Sequence, residues 1–139
     1  MNASEFLTAL TTHYNALVRT YAQQLSLTSS QAFLLLNIPY DGTQMSSLAY
    51  KLGIDNSTLT RNINKLQLLN LIIKMQDKHD RRVINIYITD EGQKNVEALE
   101  AFFQNLNNSL VEHIDIDDQN IISEALEKLL WAMECARQK

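Results

Sequence analysis

Apolar residues recur along this chain at two kinds of spacing, one helical and one alternating. Across residues 5 to about 24, Leu7, Leu10, Tyr14, Leu17 and Tyr21 follow one another at intervals of three and four. No Gly or Pro interrupts them, so the pattern predicts a long amphipathic helix. Thr28-Ser29-Ser30-Gln31 has the form of a capping box, in which a hydroxyl and an amide each satisfy a free backbone N–H. It stands just before the apolar run 33–38, so a second helix starts there and stops before Pro39.

Asp41-Gly42 predicts a turn, and Ser46 is then placed to cap a short helix that carries Leu48, Ala49 and Leu52 inward. Gly53 suits the left-handed position after that helix. Asp55 or Asn56 caps the next helix, which runs to about Leu69 and buries Leu59, Ile63 and Leu66. A short helix, a turn containing Gly and a longer helix form the helix-turn-helix pattern. Residues 71–75 and 83–88 are β-branched and apolar, the second run alternating, and predict two antiparallel strands. Their connection, 76–82, is entirely polar and reads as an exposed wing tip.

Thr89 caps a long helix carrying Val96, Leu99, Phe103, Leu106 and Leu110. After residues 115–118 a last helix carries Ile122, Leu126, Leu129 and Met133. These terminal stripes share a 3.5-residue period and call for further helices to pack against. A second copy of the chain supplies them. The fold expected is therefore mainly α with a small β-wing: a winged helix-turn-helix of six helices in an intertwined homodimer. Residues 1–139 make one domain, with 1–27 and 93–139 as dimerisation helices and 28–92 as the DNA-binding lobe.

Composition changes this picture little and charge changes it more. With 45% hydrophobic and 20% charged residues, three Gly and one Pro, the chain is an ordinary globular one. The net charge of −4 argues at first against a polyanionic partner. Its distribution argues the other way. Between Thr43 and Arg82 seven basic residues face three acids, so the central lobe is cationic and the remainder strongly acidic. The N-terminus lacks the basic region and apolar run of a secretion signal, and no apolar run has bilayer-spanning length, so a cytoplasmic location is expected. The single cysteine, Cys135, allows no internal disulfide.

On a helical wheel Leu59, Ile63 and Leu66 occupy one side of the fourth helix and leave Ser57, Thr58, Arg61, Asn64 and Lys65 on the other. That chemistry suits a major groove: Arg donates to guanine, Asn pairs with adenine, Ser and Thr bond either base edges or phosphate, and Lys neutralises phosphate. Leu68 also projects outward, toward the wing if toward anything. A solvated helix face would look alike, so the wing carries more weight. There Asp80, Arg81 and Arg82 precede a strand ending Ile88-Thr89, followed by Asp90-Glu91-Gly92.

At this point the chain resembles the MarR family of winged helix-turn-helix regulators. The family's pattern of Asp-x-Arg, five residues, an aliphatic residue and Thr is met by Asp80, Arg82, Ile88 and Thr89, with Gly92 following. Leu48-Ala49, Leu52-Gly53-Ile54 and Ser57 to Arg61 look like the same family's helix-turn-helix. The motifs occupy residues 46–92, while the order of elements matches throughout. The resemblance implies that Arg82 enters the minor groove and Asp80 orients it.

Other candidates are weaker. His13, His79 and His113 are scattered, without the spacing of metal ligands. The resemblance includes zinc sensors, whose paired His and acidic ligands are not visible here, and peroxide sensors with a cysteine in the first helix, which this chain lacks. Cys135, late in an apolar helix, reads as packing. No cofactor is expected, and no residues suggest catalysis. Tyr14, Tyr21, Phe102, Phe103 and Trp131 would line a pocket for a small aromatic or phenolic effector, which the resemblance favours, but they read more simply as dimer core.

The function expected is a sequence-specific double-stranded DNA-binding transcriptional regulator, a repressor, dimeric on a pseudo-palindromic operator and relieved by a small-molecule effector. The alternative is a winged-helix module that binds protein and has no sequence-specific DNA binding. A more apolar face on the fourth helix would mark that alternative.

Overall fold

The computed structural model describes residues 1–138. Its elements run α1 (Ala3–Gln24), α2 (Ser29–Leu36), β1 (Thr43–Gln44), α3 (Met45–Leu52), α4 (Asn56–Leu68), β2 (Ile72–Gln76), β3 (Ile84–Ile88), α5 (Asp90–Val111) and α6 (Ile116–Arg137). All six helices and both wing strands stand where the apolar periodicity put them. The chain forms two compact units, Met1–Glu100 and Ala101–Lys139, with the division inside α5.

In the first unit the core is built by α2, α3, α4 and the sheet. Leu34, Leu35, Leu48, Leu59, Ile63, Leu66, Ile72 and Ile86 are all essentially shielded from water. Each such side chain contributes about 1.5–3 kcal/mol relative to exposure. The capping box at α2 forms as expected, Gln31 N–H donating to Thr28 Oγ1 at 3.1 Å and Thr28 N–H to Gln31 Oε1 at 2.9 Å. Asp55 is the α4 cap, its carboxylate accepting from Thr58 N–H at 2.7 Å.

The sheet is antiparallel in the order β1-β3-β2, with Ile72 opposite Ile88, Lys74 opposite Ile86 and Gln76 opposite Ile84. Its third strand, β1, has only two residues and pairs Thr43 with Ile86. It also corrects the start of α3. Because Thr43-Gln44 is held in the sheet, the chain turns directly from strand into helix with Gln44 at the cap, and no side chain caps it. Ser46 lies inside the helix and caps nothing.

Three helices end alike. Ser26 (φ 58°), Gly53 (φ 67°) and Asn70 (φ 61°) adopt left-handed backbone. The next residue's N–H then reaches back to close the helix: Leu27 to Ala22, Ile54 to Ala49 and Leu71 to Leu66, at 2.8, 3.2 and 3.0 Å. Only the Gly53 end was readable beforehand, since Ser is an unusual residue for this conformation.

On α1 the residues the chain itself buries are Val18 and Ala22. The longer stripe of Leu10, Tyr14 and Leu17 is 41–54% exposed. In the second unit, Gln119 Nε2 donates to the carbonyls of Val111 and Ile114 at 3.2 and 2.9 Å and so closes the turn between α5 and α6. No described residue of α6 is buried, and Ile116, Ile121, Leu126, Leu130 and Trp131 are all more than half exposed. Among the described residues no helix is long and apolar enough to cross a membrane.

Two substitutions test this reading of the backbone by the sign of their effect in chemical denaturation. Gly92 is buried, and a Cβ there would run into the Leu71 carbonyl. Gly92→Ala should therefore destabilise by about 3 kcal/mol, although Gly→Ala within a helix ordinarily stabilises by about 1 kcal/mol. Ser26→Gly should stabilise by about 0.5–1 kcal/mol by relieving the left-handed strain; a loss of stability would show that the conformation is not strained.

Candidate nucleic-acid interface

Helix α4 presents one uninterrupted exposed stripe. Ser57, Arg61, Asn64, Lys65 and Leu68 all face solvent, while Leu59, Ile63 and Leu66 hold the opposite side in the core. Thr58, expected on the outer face, is half-buried and lines a cleft with Phe33, Leu34, Leu52 and Ile54. Ser57 is exposed but engaged, its hydroxyl donating to Asp55 Oδ1 at 2.7 Å. Leu68 is 88% exposed, so the wing does not cover it. The Asp55 carboxyl is drawn down from 3.8 to about 2, first by the Thr58 N–H and then by the Ser57 hydroxyl.

The wing tip is organised by two carboxylates in series. Asp77 accepts the backbone N–H of His79 at 3.0 Å and of Asp80 at 3.1 Å, and the Asn85 amide at 3.2 Å. Asp80, fixed in this way, accepts from Arg82 three times: from its backbone N–H at 3.0 Å, from Nε at 3.2 Å and from Nη2 at 3.4 Å. Both carboxyls are held below the usual range by these bonds. For Asp77 the His79 N–H acts most strongly, and for Asp80 the Arg82 guanidinium does. The Arg82 side chain is nonetheless 92% exposed. It is aimed by Asp80 and remains open to a partner. Arg81 is exposed beside it, and its carbonyl accepts from Gln76 Nε2 at 2.8 Å.

Wing and helix face one another across a cleft of about 210 Å³ lined by Gln44, Ser46, Asn56, Thr60, Arg82 and Ile84. Asn56 and Thr60 were missed from the sequence, although with Asn64 they make a stripe at intervals of four. The link from Lys74 Nζ to Asn64 Oδ1, at 2.7 Å, was also missed. It depends on the pairing of strand and helix, which no local pattern encodes. Asp77 was read only as a charge within a polar run.

The aromatic residues divide. Tyr14 meets Phe33 with ring centroids 5.9 Å apart, and burial raises its hydroxyl pKa. Phe102 and Phe103 meet at 5.2 Å. Tyr21 is half-buried and Trp131 is 68% exposed. Cys135 is half-buried on α6. Among the described residues no group of three or more His, Cys, Asp or Glu side chains is placed to hold a metal ion.

A family model described as the transcriptional regulator SarA/Rot matches residues 16–99. The HTH-type transcriptional repressor MdtR of Bacillus subtilis (strain 168) is 30% identical over 80 residues, which is 57% of this chain. The match spans about half, 52%, of that repressor's length. Wild-type apo MarR from E. coli is similar in fold, with a TM-score of 0.82 at 19% identity over 94% of this chain and 97% of that one. So is MepR of S. aureus, solved as a DNA complex, with a TM-score of 0.79 at 22% identity over 95% and 98%.

The α4 cap gives a pH prediction. A carboxyl whose folded value lies below its ordinary 3.8 stabilises fully above that pH, and the contribution is lost as the pH falls toward about 2. Carboxyl-carbon NMR should show Asp55 titrating near 2, with the Thr58 amide resonance moving in step. A midpoint close to 4 would mean that the cap is not formed in solution.

Proposed function

Since the chain belongs to the SarA/Rot family of transcriptional regulators, we propose that it regulates by binding duplex DNA sequence-specifically, as a two-fold dimer in the cytoplasm. The observation that carries this reading is the pairing of an exposed polar stripe on α4 with an ordered, exposed arginine on the adjoining wing, both within the cationic lobe. In this arrangement Arg61, Asn64 and Lys65 read the major groove, with Ser57 at the phosphates. Arg82, held by Asp80 and flanked by Arg81, enters the minor groove, where a narrow groove concentrates negative potential. Thr58 belongs to the support of α4 rather than to its reading face.

The exposed stripes of α1 and α6 support the dimer, since they leave large apolar side chains open to water within one chain. The match to a repressor and the fold shared with a regulator solved on DNA support a repressor on a pseudo-palindromic operator. Its half-sites would lie about one helical turn apart. A small aromatic or phenolic effector that prefers one spacing of the two lobes would relieve repression, because only differential affinity shifts such an equilibrium.

Fluorescence anisotropy across a salt series, with sedimentation in parallel, tests the proposal on the duplex upstream of the chain's own gene and on its scrambled counterpart. A dimer should bind the first about a thousandfold more tightly, with a steep salt slope. Arg82→Ala should weaken that binding about tenfold or more while leaving the melting temperature unchanged. Absence of binding to any duplex at low salt would favour a protein-binding module, and full affinity in the Arg82 variant would overturn the minor-groove role.

A further inference from the structure

The link between Lys74 on β2 and Asn64 on α4 joins the wing sheet to the face proposed to read DNA. Side chains along β2 alternate. Ile72 is fully buried in the core, and Lys74 and Gln76 share its face of the strand. Lys74 is half-buried and brings its ammonium to Asn64 Oδ1 at 2.7 Å. An ammonium offers only donors, whereas a side-chain amide has one acceptor oxygen and one donor NH₂. The pair therefore has one workable orientation, since a flipped amide would set NH₂ against NH₃⁺. A charge-assisted bond at this distance is about twice as strong as a neutral one.

Asparagine reads adenine with both ends of its amide, the oxygen accepting from N6 and the nitrogen donating to N7. Here one lone pair of the oxygen takes the ammonium, whose remaining N–H donors stand beside the other and oppose an approaching N6 amino group, so the NH₂ is the end left for the groove. A head whose free end donates suits a base edge that only accepts, and guanine presents two such atoms, O6 and N7. Building on the DNA-binding reading above, we propose that Lys74 is a positioning residue that fixes Asn64 as a donor and makes it a reader of guanine rather than adenine.

The test is selection of duplexes from a randomised library by the full chain and three variants, each first confirmed to melt as wild type does. Asn64→Ala identifies, as the place where preference is lost, the base that Asn64 reads. Wild type should prefer guanine there by about fivefold or more. Lys74→Met keeps the chain length, removes the donor and should shift the preference at that one base to adenine. Lys74→Arg, which still donates, should keep guanine. The proposal is overturned if wild type selects adenine at that base. It is likewise overturned if Lys74→Met still selects guanine and only lowers the salt slope by about one, as a phosphate contact would. Failure of the wild type to select any sequence would instead remove the DNA-binding reading, and this role with it.

Discussion

The closure at the base of the wing is the constraint on which the rest of the interface depends. Where α4 gives way to β2, Asn70 turns left-handed and the Leu71 carbonyl accepts the Thr89 N–H at 3.0 Å. The Thr89 hydroxyl donates to the Asn70 carbonyl at 2.7 Å and accepts from Gly92 N–H at 3.0 Å. Thr89 thus both locks the hairpin to the end of α4 and caps α5. Only Gly allows α5 to start so close to the Leu71 carbonyl. The end of α4, the root of the wing and the first turn of α5 are thus tied into one joint.

Most of this architecture was legible because it rests on local chemistry. The periods of α1, α4 and α5, the Thr28–Gln31 box and the Gly53 end each follow from residues within one turn of each other. The Asp80–Arg82 pair was legible for the same reason, and the MarR-type resemblance carried by residues 46–92 agrees with the family match over 16–99. What escaped notice depends on partners distant in sequence. A two-residue strand has no periodicity, so β1 was invisible, and with it the true start of α3. Ser26 and Asn70 give no glycine signal for their left-handed turns, and the backbone pays for them only because Leu27 and Leu71 are buried just beyond. Lys74 looked like any strand cation until the sheet brought it to Asn64.

Two acids at the tip of a surface proposed to meet an anion present an apparent contradiction. Asp77 and Asp80 lie among Lys78, Arg81 and Arg82, and each lowers the local positive potential. In exchange they order the tip. Asp77 ties down two successive backbone N–H groups, and Asp80 takes both the backbone and the guanidinium of Arg82. A long arginine free in solution loses considerable rotamer entropy when it enters a groove, and here much of that loss is borne by folding. Because only Nε and one Nη2 donor of Arg82 go to Asp80 and the side chain remains 92% exposed, its other donors stay open for the proposed contact with DNA. The acids lower long-range attraction a little and sharpen where the arginine points.

The apolar stripes of α1 and α6 bring the same logic to the scale of the proposed dimer. Single exposed leucines are common on soluble proteins. A run such as Leu10, Tyr14 and Leu17, matched by Ile122, Leu126 and Met133, is not. Covering those stripes with a second copy would remove the largest apolar liability of the chain. It would also fix the separation of two reading helices that otherwise share no contact. In the proposed dimer the spacing of the lobes would be the variable on which operator affinity turns, and an effector would act by binding one value of it more tightly than another.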